Sequence, residues 1–253
     1  MRIIFFSLVF ILFDQINIFS QSNIEAAEDF FNKKYNVIEN EKANNHNIDQ
    51  AIKLFKKSDV EPDKTIGLLK SYEFKASWTD ISEDEKRKLY EKAIDLAKNK
   101  LPEYPQNGAI AYWYVANYAR WADLIDITEA AQEGVLDKIK NMAEKAIELD
   151  EEYNQAGALR LLGGLHMEAP NIPLVLSWPS NKMAKKFLKK AYKIAPEHAA
   201  NVYLYAKILY VIGKERKAKK VLEELINRDA RKDYLLVDKK YIQKGEEFYN
   251  NHY

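Results

Sequence analysis

The chain has no cysteine at any of its 253 positions, so disulfides and thiolate metal ligands are excluded. A lipobox cysteine for a lipid anchor is absent as well. Glycine and proline are scarce, with eight and seven copies, which weighs against a fold built from strands and tight turns. Excess charge is missing too: 39 Lys and Arg stand against 38 Asp and Glu, so bulk charge steers the chain to neither nucleic acid nor an acidic membrane. His46, His166, His198 and His252 fall at no metal-ligand spacing, and no Gly-x-Ser-x-Gly, Walker or dinucleotide fingerprint is present. Neither a cofactor, a metal nor a catalytic residue is therefore expected, and the chain reads as a non-enzyme.

Long apolar runs are also lacking, with one exception. Ile3 to Phe13 is an apolar run of eleven residues behind Arg2, ended by Asp14. Spanning a bilayer takes roughly 20 residues, whereas a secretory core needs about 7–15. We read residues 1–22 as a cleavable signal peptide, cut at Ser20 or Ser22. The expected location is the periplasm, with 23–253 as a single helical domain.

What the chain has is helical periodicity. Amphipathic segments are expected over 24–38, 48–55, from Asp63 to Trp78, and from Ser82 to Ala97. Glu39 to Asn47 reads as a loop. Ser82-Glu-Asp-Glu is a helix start with acidic residues in its first turn. Further helices are expected over 108–121, ending at Asp150, over 156–168, 184–195, 198–212 and 215–226. Asp233 to Tyr249 remains as a cap with a charged outer face. Ala184, Leu188 and Ala191 share one helix face, and Pro196 ends that helix. Ala93, Ala146, Ala191 and Leu225 mark corresponding places, and the last two are 34 residues apart. This is the length of a helix-turn-helix repeat in which small residues let neighbouring helices touch.

With Leu162, Gly163, Ala184, Leu188, Ala191 and Pro196 in one unit, and Ala206, Ala218, Leu222 and Leu225 in the next, the chain resembles a tetratricopeptide-repeat protein. The expected fold is an all-α array of helix-turn-helix repeats, clearest over 108–231, with enlarged loops inside two repeats. A narrower resemblance rests on Ala-Tyr-Trp-Tyr-Val-Ala-Asn-Tyr-Ala-Arg-Trp (111–121), Leu-Arg-Leu-Leu-Gly-Gly-Leu (159–165), the 169–179 insert with Trp178-Pro179, and Lys-Ala-Tyr-Lys-Ile-Ala-Pro (190–196). Together they look like the TatT family, periplasmic T components associated with tripartite ATP-independent periplasmic (TRAP) transporters. That resemblance implies an accessory role in small-ligand uptake, beside a solute-binding component, with possible self-assembly.

In stacked helical pairs the first helix of each pair lines the concave side. Trp113, Asn117 and Arg120, then Arg160, Gly164 and Met167, then Tyr203, Lys207 and Tyr210 are expected there. We expect this aromatic wall with three cations to hold an acidic or amphipathic ligand, or the acidic tail of a partner protein. Trp178 is the candidate in the insert loop. His166 is expected in the core, and Gly163-Gly164 is read as a close helix approach. The Lys185, Lys186, Lys189, Lys190 ridge is read as the solvated face of a helix, with no nucleic-acid partner implied. The alternative to transport is a general protein-protein scaffold in envelope assembly, its groove binding a partner peptide.

Overall fold

The computed structural model describes residues 20–126, 130, 134–170, 172 and 176–253. Most of the expected signal peptide therefore lies outside the described residues, as do parts of the 125–134 segment and of the 169–179 insert. The described residues fall into two compact units, a first up to Tyr104 and a second over Pro105–Tyr253.

In the first unit, helix α1 covers residues 20–32. Strands β1 (Ile38–Glu39) and β2 (Lys42–Ala43) form a small antiparallel hairpin. Helices α2 (Asn45–Lys57), α3 (Asp63–Trp78) and α4 (Glu83–Lys100) follow. The helix expected over 24–38 is thus shorter at its C-terminal end, and the expected loop contains the hairpin. The reason is the turn: Asn40 and Glu41 both take positive φ (47° and 61°), the geometry a two-residue hairpin loop requires. Ser82 starts α4 as expected, through a capping box. Its hydroxyl accepts from the Glu85 amide, and the Glu85 carboxylate accepts from the Ser82 amide at 3.0 Å. Phe55, fully buried on α2, fills the space that Gly67 leaves on α3, where a Cβ would stand 2.3 Å from the ring.

In the second unit, α5 is Gly108–Ala122, α6 Val135–Asp150, α7 Tyr153–Glu168 and α8 Asn181–Ile194. Next come α9 (Ala199–Val211), α10 (Glu215–Ile226) and, after a 3-10 turn, α11 (Leu235–His252). Pairs α5–α6, α7–α8 and α9–α10 pack as hairpins, and the first helices also touch one another, α5 on α7 and α7 on α9. The last helix, α11, packs across α9 and α10 as the expected cap. This is an all-α helical repeat array.

The small-residue pattern explains the packing. Ala93, Ala146, Ala191 and Leu225 are all buried, and so are Ala184 and Leu188 on the face they share with Ala191. A buried alanine loses no side-chain entropy and lets the next helix backbone approach.

One segment departs from its local propensity. Asn154, Gln155 and Ala156, at the start of α7, all have positive φ (48°, 56° and 60°). A left-handed conformation costs about 1–2 kcal/mol for each non-glycine residue, so contacts elsewhere must stabilise it. Those contacts lie within the candidate site.

Candidate functional site

On α5, Asn107 caps the helix by accepting from the Ile110 amide at 2.9 Å. Trp113 is half-buried, its indole N–H donating to the Tyr153 hydroxyl at 3.0 Å. Asn117 is fully buried and donates to the Trp113 carbonyl at 2.8 Å, one turn back. Arg120 reaches Asp123 at 3.4 Å. Tyr112, beside Trp113, lies over Gly157 of α7, where a Cβ would be 2.4 Å from the ring. Its hydroxyl accepts from Asn154 at 2.7 Å. Helices α5 and α7 are thereby held in close contact.

On α7, Arg160 is a structural clamp. Its Nη1 donates to the Gln155 carbonyl at 3.1 Å and to Asn201 Oδ1 on α9 at 2.9 Å. Met167 packs against the α9 core. Glycines 163 and 164 divide the role expected of both. Gly163 is a close approach, with Leu188 of α8 2.6 Å from where its Cβ would stand. Among the described residues, nothing comes within 4 Å of that position at Gly164, which faces open space.

On α9, Tyr203 and Tyr210 meet the cap. Tyr203 lies 5.7 Å from the Tyr241 ring, and Tyr210 is edge-on to Phe248 at 5.3 Å. Burial pushes the Tyr203 hydroxyl above its ordinary pKa. Lys207 pairs with Glu168 of α7 at 2.9 Å. Burial alone would lower that lysine, but the Glu168 carboxylate outweighs it and holds Lys207 above the ordinary value. The three cations expected along the concave side are thus each engaged inside the chain, and α11 covers the two tyrosines. Gly164 is left facing open space on this side.

Trp178 is docked. Its indole N–H donates to Asp137 of α6 at 2.6 Å, and its ring meets His166 edge-on at 5.0 Å. His166 is buried, as expected, and stacks on Phe187 at 5.7 Å. The end of the insert is therefore fastened to α6 and α7.

Sequence reasoning missed a buried polar network that joins two repeats and the cap. Asn201, fully buried, donates to the carbonyls of Gln155 at 3.2 Å and of Ala191 and Ala195 at 3.1 Å each, so it also caps the end of α8. Arg231 Nη1 donates to Gln155 Oε1 at 2.8 Å. The same guanidinium grips Asp238 of α11 at 2.6 and 2.9 Å. Gln155 thus receives Arg160, Asn201 and Arg231, which stabilises its left-handed turn. No short-range signal marks the bonds that tie Gln155 and Arg160 to Asn201 and Arg231, because those partners are 41 to 76 positions apart.

His198, buried at the start of α9, sits beside this network. Burial, then the nearby Arg160 and Arg231 cations, push its imidazole well below the ordinary histidine value. Burial and Lys140 lower His166 in the same direction. Folding holds both neutral to a lower pH than in the unfolded chain, whose histidines take up protons near pH 6.5. Their stability contribution is therefore complete above that value and lost as pH falls below it, by up to about 1.4 kcal/mol per pH unit for each histidine. His166→Phe keeps the stack with Phe187 and should flatten the fall in thermal midpoint between neutral and mildly acid pH. An unchanged slope in the variant would show that His166 is not a source of it.

Among the described residues, no cluster of His, Asp and Glu could hold a metal ion, and no helix is long and apolar enough to cross a membrane.

Comparison with known proteins agrees with this geometry. A tetratricopeptide repeat family matches residues 182–236, which take in α8, α9 and α10. Among solved structures, the chain is similar to a thermophilic TPR protein of Thermus thermophilus. The TM-score is 0.57 at 13% identity, over 92% of this chain and 97% of that one. No curated protein matches. At that identity the likeness fixes the fold, a helical repeat array of tetratricopeptide type.

Proposed function

We propose that the protein is a non-catalytic scaffold that takes an extended segment of a partner protein along its first-helix side. The observation behind this reading is the open space at Gly164, on a helix packed against α5, α6, α8 and α9. Helical arrays of this type present such surfaces to protein partners. The internal engagement of Arg120, Arg160 and Lys207 favours an amphipathic segment over a strongly acidic one. A small acidic or amphipathic ligand, and self-assembly on the same side, remain within this proposal.

The narrower proposal is an exported accessory of a TRAP-type uptake system, with a solute-binding component as the partner in the periplasm. It rests on the 111–121, 159–165, 169–179 and 190–196 motifs. A general scaffold in envelope assembly is the second reading.

Gly164→Trp tests the site without touching the core. The new side chain enters open space, and replacing a mid-helix glycine favours the helix by up to about 1 kcal/mol. The tagged variant should keep its thermal midpoint yet fail to recover the proteins that wild type captures from envelope extracts. A solute-binding component among the lost proteins supports the narrower reading, and assembly factors alone support the second. Equal capture by the variant would remove Gly164 from the binding site.

A further inference from the structure

The near-neutral total conceals a segregation of charge. Between Asn181 and Lys220 there are eleven lysines and one arginine, but only two carboxylates, Glu197 and Glu215. Most of these cations fall on α8 and α10, the second helices of consecutive repeats, which lie side by side. Their N-terminal halves meet where the Lys185 ammonium lies against Lys214, and their C-terminal ends where Tyr192 donates to Glu224 at 3.3 Å. The two helices therefore run in the same direction, with the basic halves together.

Lys182, Lys185 and Lys189 on α8, with Lys214, Lys217 and Lys220 at α10, make no ion pair with any described residue. Lys190 is bonded to Glu151, just past the end of α6, and so marks the edge of the surface. Of the carboxylates of α10, Glu215 opens the helix beside Lys214 and is outnumbered there, while Glu223 and Glu224 are at the far end, taken by Tyr249 and Tyr192. Mutual repulsion is felt inside the cluster. Lys214 first, then burial, Lys189 and Lys217, hold Lys185 below the ordinary lysine value. Folding gathers these charges without compensating them.

We propose that this basic face of α8 and α10 rests on the surface of an anionic lipid bilayer. Three features favour that occupant. The cations are lysines, with Arg216 the exception. Lysine acts as a hydrated point charge, whereas recognition of individual phosphates or carboxylates in fixed geometry favours the arginine fork. The surface is shallow: its depression of ≈ 480 Å³, lined by Gly213 to Lys217, is too open to enclose a ligand. The aromatics beneath it, Phe187 and Tyr205, are packed inward under Lys186 and Lys217 and offer no platform for stacked bases. Clustered lysines on one face add their attraction to a negative surface, and the attraction is screened by salt. The proposed surface is distinct from the open space at Gly164, so a scaffold held this way keeps its partner side available.

The test is co-sedimentation of the purified protein with phosphatidylcholine vesicles, with and without phosphatidylglycerol. Wild type should sediment with the anionic vesicles at low salt, not with the neutral ones, and should be released as salt rises. Replacing Lys185, Lys189, Lys214 and Lys217 together with Glu should abolish sedimentation, since each lysine near such a surface contributes roughly fivefold. The control reverses four exposed lysines of the first unit, Lys53, Lys57, Lys88 and Lys98, and should sediment like wild type. Circular dichroism on both variants confirms that they fold. No sedimentation of wild type, equal loss in both variants, or lysine-dependent binding to duplex DNA without binding to vesicles would each overturn the proposal.

Discussion

Arg231→Ala is expected to lower the unfolding free energy by about 3–5 kcal/mol, read from urea denaturation at neutral pH. Asp238 is 2% exposed, and Arg231 supplies its guanidinium at 2.6 and 2.9 Å and its backbone amide at 3.1 Å. Taking the side chain away leaves a carboxylate buried with only the amide for company. The same change removes the bond to Gln155, so the left-handed turn at 154–156 loses one of its three supports. Amide exchange there should speed up together with that of α11. Arg231→Ala combined with Asp238→Ala should lose less than Arg231→Ala alone, because no charge is then stranded. A loss of under about 1 kcal/mol for the single change would mean that the pair is not desolvated as its burial indicates.

The repeats were legible in the sequence because their signal is local. Ala184, Leu188 and Ala191 record one helix face, and the recurrence of that face at Ala146 and Leu225 records the stacking of one pair on the next. What could not be read is what long-range contacts impose. Asn154, Gln155 and Ala156 carry no preference for three successive left-handed residues; Arg160, Asn201 and Arg231 hold that turn in place. Arg160 looked like a groove cation because its position in the repeat is right. Its guanidinium turns sideways to α9, since Asn201 offers a buried acceptor there. Tyr203 and Tyr210, expected in the groove, meet Tyr241 and Phe248 of a helix that follows them in the chain. The lysine ridge of α8 is legible as one solvated helix face, but its joining to the lysines at α10 is not, because the two helices are neighbours only in the fold. A total charge near zero averages over the whole chain, while binding responds to the charge on one surface.

The second large effect concerns the contact that sets the spacing of the repeats. Leu188→Ala should cost about 2–5 kcal/mol, because the side chain is fully buried and its removal leaves a cavity. Gly163→Ala should cost about 1–3 kcal/mol despite the better helix propensity of alanine. The new Cβ would stand 2.6 and 2.7 Å from Leu188 Cγ and Cδ2, and 3.2 Å from the Leu188 backbone nitrogen. The two changes should not add. Removing Leu188 beyond Cβ clears both close side-chain contacts and leaves only the tight backbone one, so the double variant should recover about 0.5–3 kcal/mol relative to the sum. Strict additivity would mean that α7 and α8 move apart freely. If they do not, the consequence reaches the partner side, because α8 also fixes α9 through the bonds from Asn201 to Ala191 and Ala195. A helix outside the groove would then set the distance between Gly164 and the next helix along it.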